Sequence, residues 1–165
     1  MSAHINDLLQ QFTHSIGIAD FALDAQGYAC LQIDELLVNL EHVEHTDTLL
    51  LYAVMGTLPT TPNAALYAQL LEANFFFNGT GGATLGLDKG AGMVVLTQAL
   101  DCTGKTLETF EGCLDRFVNA AQRWSQTLTA AHLSHDPAAT DTTAEKAPAT
   151  LTADADLRST SWIRG

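Results

Sequence analysis

Basic residues are scarce in this chain of 165 residues: 7 lysines and arginines stand against 19 aspartates and glutamates, a formal net charge of −12 at pH 7. The excess is not confined to one end, because 14 of the acidic and 4 of the basic residues lie within residues 1–130. A surface of this sign repels phosphate groups, which argues against nucleic acid and anionic membranes as partners. The same charge keeps a chain with 47% hydrophobic residues in solution.

Long apolar runs and paired cysteines are also missing. No apolar stretch approaches the roughly 20 residues that span a bilayer, and no basic segment with an apolar run starts the chain. The sequence therefore predicts no membrane insertion. The three cysteines, Cys30, Cys102 and Cys113, are odd in number and lack C-x-x-C spacing. They are typical of buried thiols in a reducing cytosol.

Hydrophobic periodicity predicts one α+β domain, with an antiparallel β-sheet and three helices in the order α-β-β-β-α-β-β-α. Apolar residues at helical spacing from Ile5 to Ile16 predict a first helix, which Gly17 would end. Asn63 could cap the second helix. The predicted strands are 29–33, 36–43, 49–55, 83–88 and 93–98, and the later helices are 64–77 and 107–128. The apolar residues of the last helix step by three and four, which favours packing across the chain's own sheet over a coiled coil.

The periodic pattern stops after Leu133. The following run S-H-D-P-A-A-T-D-T-T-A-E-K-A-P-A-T is small and polar without aromatic residues, which predicts disorder. The expected organisation is a folded domain over 1–132 and a disordered tail over 133–165. Ser161-Trp162-Ile163-Arg164 forms an isolated apolar patch. A frayed end is the simpler interpretation and a docking motif is the alternative.

One motif resembles a nucleotide-binding site. The run A-L-D-C-T-G-K-T over 99–106 fits the loose form of a phosphate-binding loop between a strand and a helix. Its first glycine is replaced by Ala99, and no later apolar strand ends in a magnesium-binding aspartate. The preceding strand belongs to a hairpin, not to a parallel βαβ unit. Lys105 and Thr106 are therefore interpreted as the start of a helix.

A cluster of Glu41, His42, Glu44 and His45 has the chemistry of a metal site. On a strand, however, His42 and His45 point to opposite faces, and no thiolate is near in sequence. We expect no metal, no cofactor and no catalytic residue.

Three glycines, Gly79, Gly81 and Gly82, could also suggest a phosphate cradle. They follow a helix and precede a strand, so no helix N-terminus points at them. They are interpreted as positions that need positive φ or close backbone approach.

The most informative stretch runs from Leu70 to Leu96, where an apolar helix ends in three phenylalanines and a glycine-rich link leads into a hairpin. Three adjacent aromatic side chains cannot all face one core, so part of this surface should meet another chain. The stretch resembles the Tir-chaperone (CesT-type) family, small acidic homodimers that escort effectors of bacterial type III secretion. The resemblance rests on Leu66, Leu70, Leu71, Ala73, Asn74 and Phe75, followed by G-T-G-G-A-T-L over 79–85.

The resemblance implies a class I type III secretion chaperone, without enzymatic activity, in the cytoplasm of a Gram-negative bacterium. It implies that a homodimer binds an effector's N-terminal segment in extended form, and that the ATPase of the secretion apparatus is a further partner. A partner-switching adaptor or regulator that binds a folded protein is the alternative. The residues expected at the dimer interface are Leu66, Leu70, Leu71, Asn74 and Phe75. The residues expected to contact the effector are Ile5, Leu9, Phe12, Val38 and Leu40.

Overall fold

The computed structural model describes residues 3–18, 21–61 and 64–135. Within these ranges it contains three α-helices and one five-stranded antiparallel sheet, which confirms the predicted fold class and element order. The helices are α1 (Ala3–Ser15), α2 (Ala64–Asn74) and α3 (Leu107–His135), and the strands are β1 (Tyr28–Ile33), β2 (Leu36–Val43), β3 (Thr48–Thr57), β4 (Thr84–Asp88) and β5 (Met93–Asp101).

The sheet has the order β1-β2-β3-β5-β4, so β1 and β4 are its edges. The β1–β2 ladder extends to the pair Ile33–Leu36, whereas the β2–β3 ladder stops at Asn39–Tyr52. Beyond that pair β2 stays with β1 and β3 stays with β5. The sheet is therefore split at one end between its second and third strands.

Helix α3 lies across β3 and β2, and α1 packs against α3. The buried residues of α3 repeat at steps of three and four, as the sequence predicted for a helix that packs on its own sheet. Burial of each large apolar side chain in this row stabilises the folded state by about 1.5–3 kcal/mol. The buried row of α3 consists of Phe110, Leu114, Phe117, Ala121, Trp124 and Leu128.

Helix α1 ends at a glycine, as the sequence predicted. Gly17 has φ +74°, its N–H donates to the carbonyl of His14, and the N–H of Ile18 donates to the carbonyl of Thr13 at 2.8 Å. This pair of bonds is the Schellman arrangement, which needs a residue with positive φ after the last helical turn. Ile16 lies beyond the helix and is exposed, so the last buried apolar residue of α1 is Phe12.

The predicted element ends differ from the structure at two places that matter for the surface. The second helix ends at Asn74 instead of 77, because Phe75–Phe77 form a 3₁₀ turn in which Phe76 and Phe77 have φ of 49° and 58°. The last helix continues to His135, so the predicted boundary at 132 falls inside it. The predicted cap Asn63 and the predicted tail from 136 onward lie outside the described residues.

None of the helices in the described ranges is both long and apolar enough to cross a membrane.

Candidate partner-binding surfaces

Helix α2 is apolar on two sides, and only one of them is covered by its own chain. Leu66, Leu70 and Ala73 face the core and are 7–9% exposed. The other side continues into the 3₁₀ turn as a row of side chains that are 37–78% exposed. We call this row the apolar stripe; it consists of Tyr67, Leu71, Phe75, Phe76 and Phe77. Five adjacent large apolar groups on a small domain are typical of an interaction surface.

Close backbone packing holds the end of α2 in place. The N–H of Gly79 donates to the carbonyl of Ala73 at 3.0 Å, and the indole Nε1–H of Trp124 donates to the carbonyl of Gly79 at 2.9 Å. A Cβ at position 79 would lie 2.6 Å from the Cβ of Ala73, so no side chain fits there. Gly81 and Gly82 have φ of 65° and 101°. The predicted need for glycine at all three positions is confirmed.

Two residues of the apolar stripe have a strained backbone conformation. Phe76 and Phe77 are bulky residues in the left-handed region, a conformation that costs on the order of 1–3 kcal/mol per residue. The rings of Phe75 and Phe76 meet edge to face, with their centroids 4.5 Å apart. The fold thus holds unfavourable backbone angles at the place where it presents aromatic rings to solvent.

Asn74 closes one edge of the sheet. Its amide Nδ2 donates to the carbonyl of Leu85 at 3.0 Å, and its Oδ1 accepts from the N–H of Leu85 at 2.9 Å. These are the outward-facing backbone groups of the edge strand β4, so the side-chain amide takes the place of a neighbouring strand there. An edge covered in this way cannot pair with another strand at that residue.

At the opposite edge, β1, the described residues bond the outward-facing backbone groups of the first residue alone. The carbonyl of Tyr28 accepts from the N–H of Asp24 at 2.7 Å, and the N–H of Tyr28 donates to the Asp24 carboxylate at 2.9 Å. The carbonyl of Gly27 faces β2, where it accepts from His42. Because inward and outward groups alternate along an antiparallel strand, the backbone groups of Cys30 and Gln32 face outward, away from β2. Both residues are exposed.

The predicted dimer residues divide between two environments. Leu66 and Leu70 lie in the core of the same chain, Asn74 uses its amide on β4, and Leu71 and Phe75 lie on the apolar stripe. Periodicity alone missed this division, because the helix is apolar on both sides. The dimer assignment stays a prediction.

The predicted effector contacts are all core residues of this chain, between 0% and 7% exposed. Helix α1 turns its whole apolar face inward, where the rings of Phe12 and Phe110 meet with centroids 5.5 Å apart. A partner therefore has no access to these side chains in the monomer, and their role in binding stays an untested prediction. The five residues are Ile5, Leu9, Phe12, Val38 and Leu40.

The nucleotide-like motif forms an ordinary strand-to-helix turn. The carboxylate of Asp101 accepts from the N–H of Thr103 at 2.9 Å, and this bond lowers the pKa of Asp101. The hydroxyl of Thr106 accepts from the N–H of Thr109, which caps α3. The interpretation of residues 105 and 106 as a helix start is confirmed.

The histidines and cysteines of the described residues differ in burial and in their bonding partners. His42 is buried and bonded to the carboxylate of Asp47 at 2.8 Å, whereas His45 is exposed. Among the described residues, no three His, Cys, Asp or Glu side chains lie close enough to hold a metal ion. Only Cys102 is buried, and desolvation raises the pKa of its thiol. Cys30 is exposed, against the prediction of a buried thiol, and desolvation raises its pKa as well.

Residues 7–125 match the model of the Tir chaperone protein (CesT) family. The chain belongs to this family. It is 28% identical over 123 residues to the Tir chaperone of Citrobacter freundii, an alignment that covers 74% of this chain and 78% of that protein. The family assigns the chain to the type III secretion chaperones, which are binding proteins and not enzymes.

A second relative is a regulator. The chain is 28% identical over 129 residues to the transcriptional anti-antiactivator ExsC of Pseudomonas aeruginosa, covering 78% of this chain and 88% of that one. The crystal structure of the ExsC–ExsE complex contains a chain with a TM-score of 0.64 and 27% identity, over 78% of this chain and 96% of that one. The relatives of this chain thus include one protein named as a chaperone and one named as a regulator.

Proposed function

We propose that this type III secretion chaperone acts as a homodimer that binds the N-terminal segment of an effector in extended form, in the bacterial cytoplasm. The observation that carries the proposal is the division of surfaces between the two ends of the sheet. The α2 end presents apolar side chains and has its strand edge covered at Leu85, whereas the β1 end presents the outward-facing backbone groups of Cys30 and Gln32, to which no other described residue bonds. The first arrangement suits a fixed contact between copies, and the second suits an added strand.

The apolar stripe is proposed as the two-fold contact. A surface that meets its own copy must be self-complementary, and adjacent aromatic and leucine side chains can interdigitate across a two-fold axis. Aromatic rings supply large contact areas and are enriched in the cores of interfaces. Burial between two copies also removes the exposed phenylalanines from water.

The β1 edge is proposed as the effector site. A segment laid beside β1 can exchange hydrogen bonds with the outward backbone groups of Cys30 and Gln32. Main-chain bonds give affinity without a demand for one sequence, which suits a chaperone for a segment without globular structure. Net charge keeps the loaded complex soluble.

Two measurements test the proposal. Light scattering of the purified chain at micromolar concentration is expected to give the mass of a dimer; a stable monomer would contradict the dimer. Co-purification from the native cells is expected to yield a secreted protein bound through its N-terminal segment. Hydrogen exchange of that complex should show the segment protected only where it contacts the chaperone. Protection as a compact independent domain would contradict binding in extended form.

A second candidate function is partner-switching regulation, which the similarity to the anti-antiactivator ExsC favours. A regulator would exchange one protein partner for another at the same surface. Competition between two co-purified partners for one chaperone dimer would indicate this role, and simultaneous binding of both would argue against it. The ATPase of the secretion apparatus is also proposed as a partner of the loaded complex, on family grounds alone, and a pull-down with and without effector tests it.

A further inference from the structure

A cleft opens at the split end of the sheet, where β2 leaves β3. It has a volume of about 680 Å³ and lies between the β1–β2 turn, the two parted strands and the flank of α3. This volume is in the range of sites that hold small ligands or large side chains. The residues that line it are Asp34, Glu35, Leu36, Leu37, Asn39, Val54, Gln122, Ser125 and Gln126.

The walls of the cleft are strand edges. Asn39 and Tyr52 are the last pair of the β2–β3 ladder. By the alternation of the ladder, Leu37 and Val54 would form the next hydrogen-bonded pair, and the register does not include them. Leu37 is 40% exposed, although it lies on a strand that is buried at most of its other positions.

The lining combines aliphatic side chains with side chains that carry oxygen atoms. Leu36, Leu37 and Val54 supply aliphatic surface, and the side chains of Gln122 and Gln126 supply amide oxygens. Asp34 and Glu35 lie at the turn, and none of the lysines, arginines or histidines in the described part of the chain lines the cleft. Asn39 contributes less, because its amide oxygen accepts from the Tyr28 hydroxyl at 2.6 Å and its Nδ2 donates to the Tyr52 carbonyl.

A side chain that matches this lining has an aliphatic stem and a cationic head with several donors. Arginine has both, since its methylene groups lie along apolar surface and its planar guanidinium donates to carboxylate and amide oxygens together. Lysine offers the charge but fewer donors in a fixed plane. Charge complementarity thus favours arginine as the occupant.

We infer that the split between β2 and β3 is a specificity pocket for an arginine side chain of the bound partner segment. The inference rests on the proposed function, because the pocket lies at the turn that ends β1, the strand proposed to pair with that segment. A segment that pairs with β1 and continues past Ile33 would meet the β1–β2 turn, where Asp34 and Glu35 line the cleft. The pocket would set which segment is preferred, while the backbone groups of β1 supply affinity.

The test uses the full chain, labelled with nitrogen-15, and two peptides, acetyl-Leu-Arg-Leu-amide and the same peptide with citrulline in place of arginine. Citrulline keeps the shape of the side chain and removes its charge. The arginine peptide is expected to shift the backbone amides of Leu37, Val54 and Ser125. Its Kd should be roughly three to ten times lower than that of the citrulline peptide, as for a partly shielded ion pair. Equal affinities, or shifts confined to other residues, would overturn the inference.

A double variant, Asp34→Asn with Glu35→Gln, gives the matched control. It should lose the preference for arginine and keep the fold, because both side chains are exposed. The Arg164→Gln chain without peptide tests the other available occupant, the chain's own C-terminal segment. Shifts at the cleft in that variant would show that the segment already fills it and would overturn the assignment to a partner.

The experiments distinguish an error in the pocket inference from an error in the proposed function. If the double variant still captures the co-purified effector in extended form and the peptides show no preference for arginine, the pocket is wrong and the chaperone mechanism stands. If the effector is bound as a folded domain, the proposed function is wrong whatever the peptides show.

Discussion

The two edge strands of the sheet differ in how their outward-facing backbone groups are bonded. At β4 the amide of Asn74 bonds to both outward backbone groups of Leu85, and the rigid end of α2 covers the edge. At β1 the described residues bond the outward backbone groups of Tyr28 alone, and those of Cys30 and Gln32 face away from β2. The covered edge carries the exposed apolar side chains, and the open edge carries few. The chain therefore has two separate surfaces: exposed apolar side chains beside β4, and outward-facing backbone groups along β1.

This difference shows how a small domain can expose binding groups without pairing at random. An open edge next to an apolar patch would invite strand-to-strand aggregation. The amide of Asn74 blocks strand addition at Leu85, beside the apolar stripe, whereas the outward-facing groups of β1 lie where Gln32 and the adjacent turn are polar. Four substitutions test this separation, from the largest expected effect to the smallest.

Leu71→Asp tests the side-chain surface. Leu71 is 71% exposed in the monomer, so the substitution leaves the core intact, but it places a carboxylate in the proposed two-fold contact. Burying that charge should cost about 3 kcal/mol or more, so that the dimer Kd rises by more than about 100-fold. Gln69→Asp, at an exposed position of the same helix, adds the same charge and should leave the dimer unchanged. Analytical ultracentrifugation measures both, and equal dimerisation of the two variants would rule out the stripe.

Gly79→Ala tests the packing that positions α2. The added Cβ would meet the Cβ of Ala73 at 2.6 Å and its Cα at 2.8 Å, so the backbone must shift. The free energy of unfolding should fall by about 2–3 kcal/mol. Gly86→Ala in β4 is the control, because the nearest atom to its Cβ is 3.9 Å away. Urea unfolding that gave the same midpoint for both variants would show that close packing at 79 is not needed.

Asn74→Ala tests the covered edge. Loss of both amide bonds to Leu85 should lower the free energy of unfolding by about 1–2 kcal/mol. Exchange of the Leu85 amide hydrogen should become faster, and the protein should aggregate more readily at high concentration. Asn78→Ala, an exposed asparagine beyond the 3₁₀ turn, serves as the control. Unchanged exchange at Leu85 would show that the amide does not protect this edge.

Gln32→Pro tests the open edge. The N–H at 32 faces away from β2, so its removal should change the free energy of unfolding by less than about 1 kcal/mol, since proline is tolerated on edge strands. Effector affinity should fall by roughly three- to tenfold, the value of one backbone hydrogen bond. Gln32→Ala keeps the N–H and should bind normally. Isothermal titration with the co-purified effector segment distinguishes the variants, and equal affinities would place the effector elsewhere.

Local patterns in the sequence were enough for the fold. The β2 boundaries at Leu36 and Val43, the glycine end of α1 and the seam of α3 follow from period, turn residues and spacing, all of which act within a few residues. The close approach at Gly79 also followed from its place after an apolar helix.

The surface was harder to predict because it depends on contacts between distant residues. Helix α2 is apolar on both sides, and only the position of the sheet decides that Leu70 is buried while Leu71 is exposed. The residues predicted to contact the effector are buried in the monomer, because Ile5, Leu9 and Phe12 of α1 pack into the core, and their role in binding stays a prediction. The edge of β1 and the cleft beside β2 follow from strand order and register, which single-sequence patterns do not specify.

Amide hydrogen exchange of the chaperone, free and loaded with its co-purified effector, tests the separation of the two surfaces most directly. The amides of Cys30 and Gln32 in β1 should be strongly protected only in the loaded state, and the Leu85 amide should be equally protected in both. New protection along α2 and β4 with unchanged exchange at Cys30 and Gln32 would contradict it.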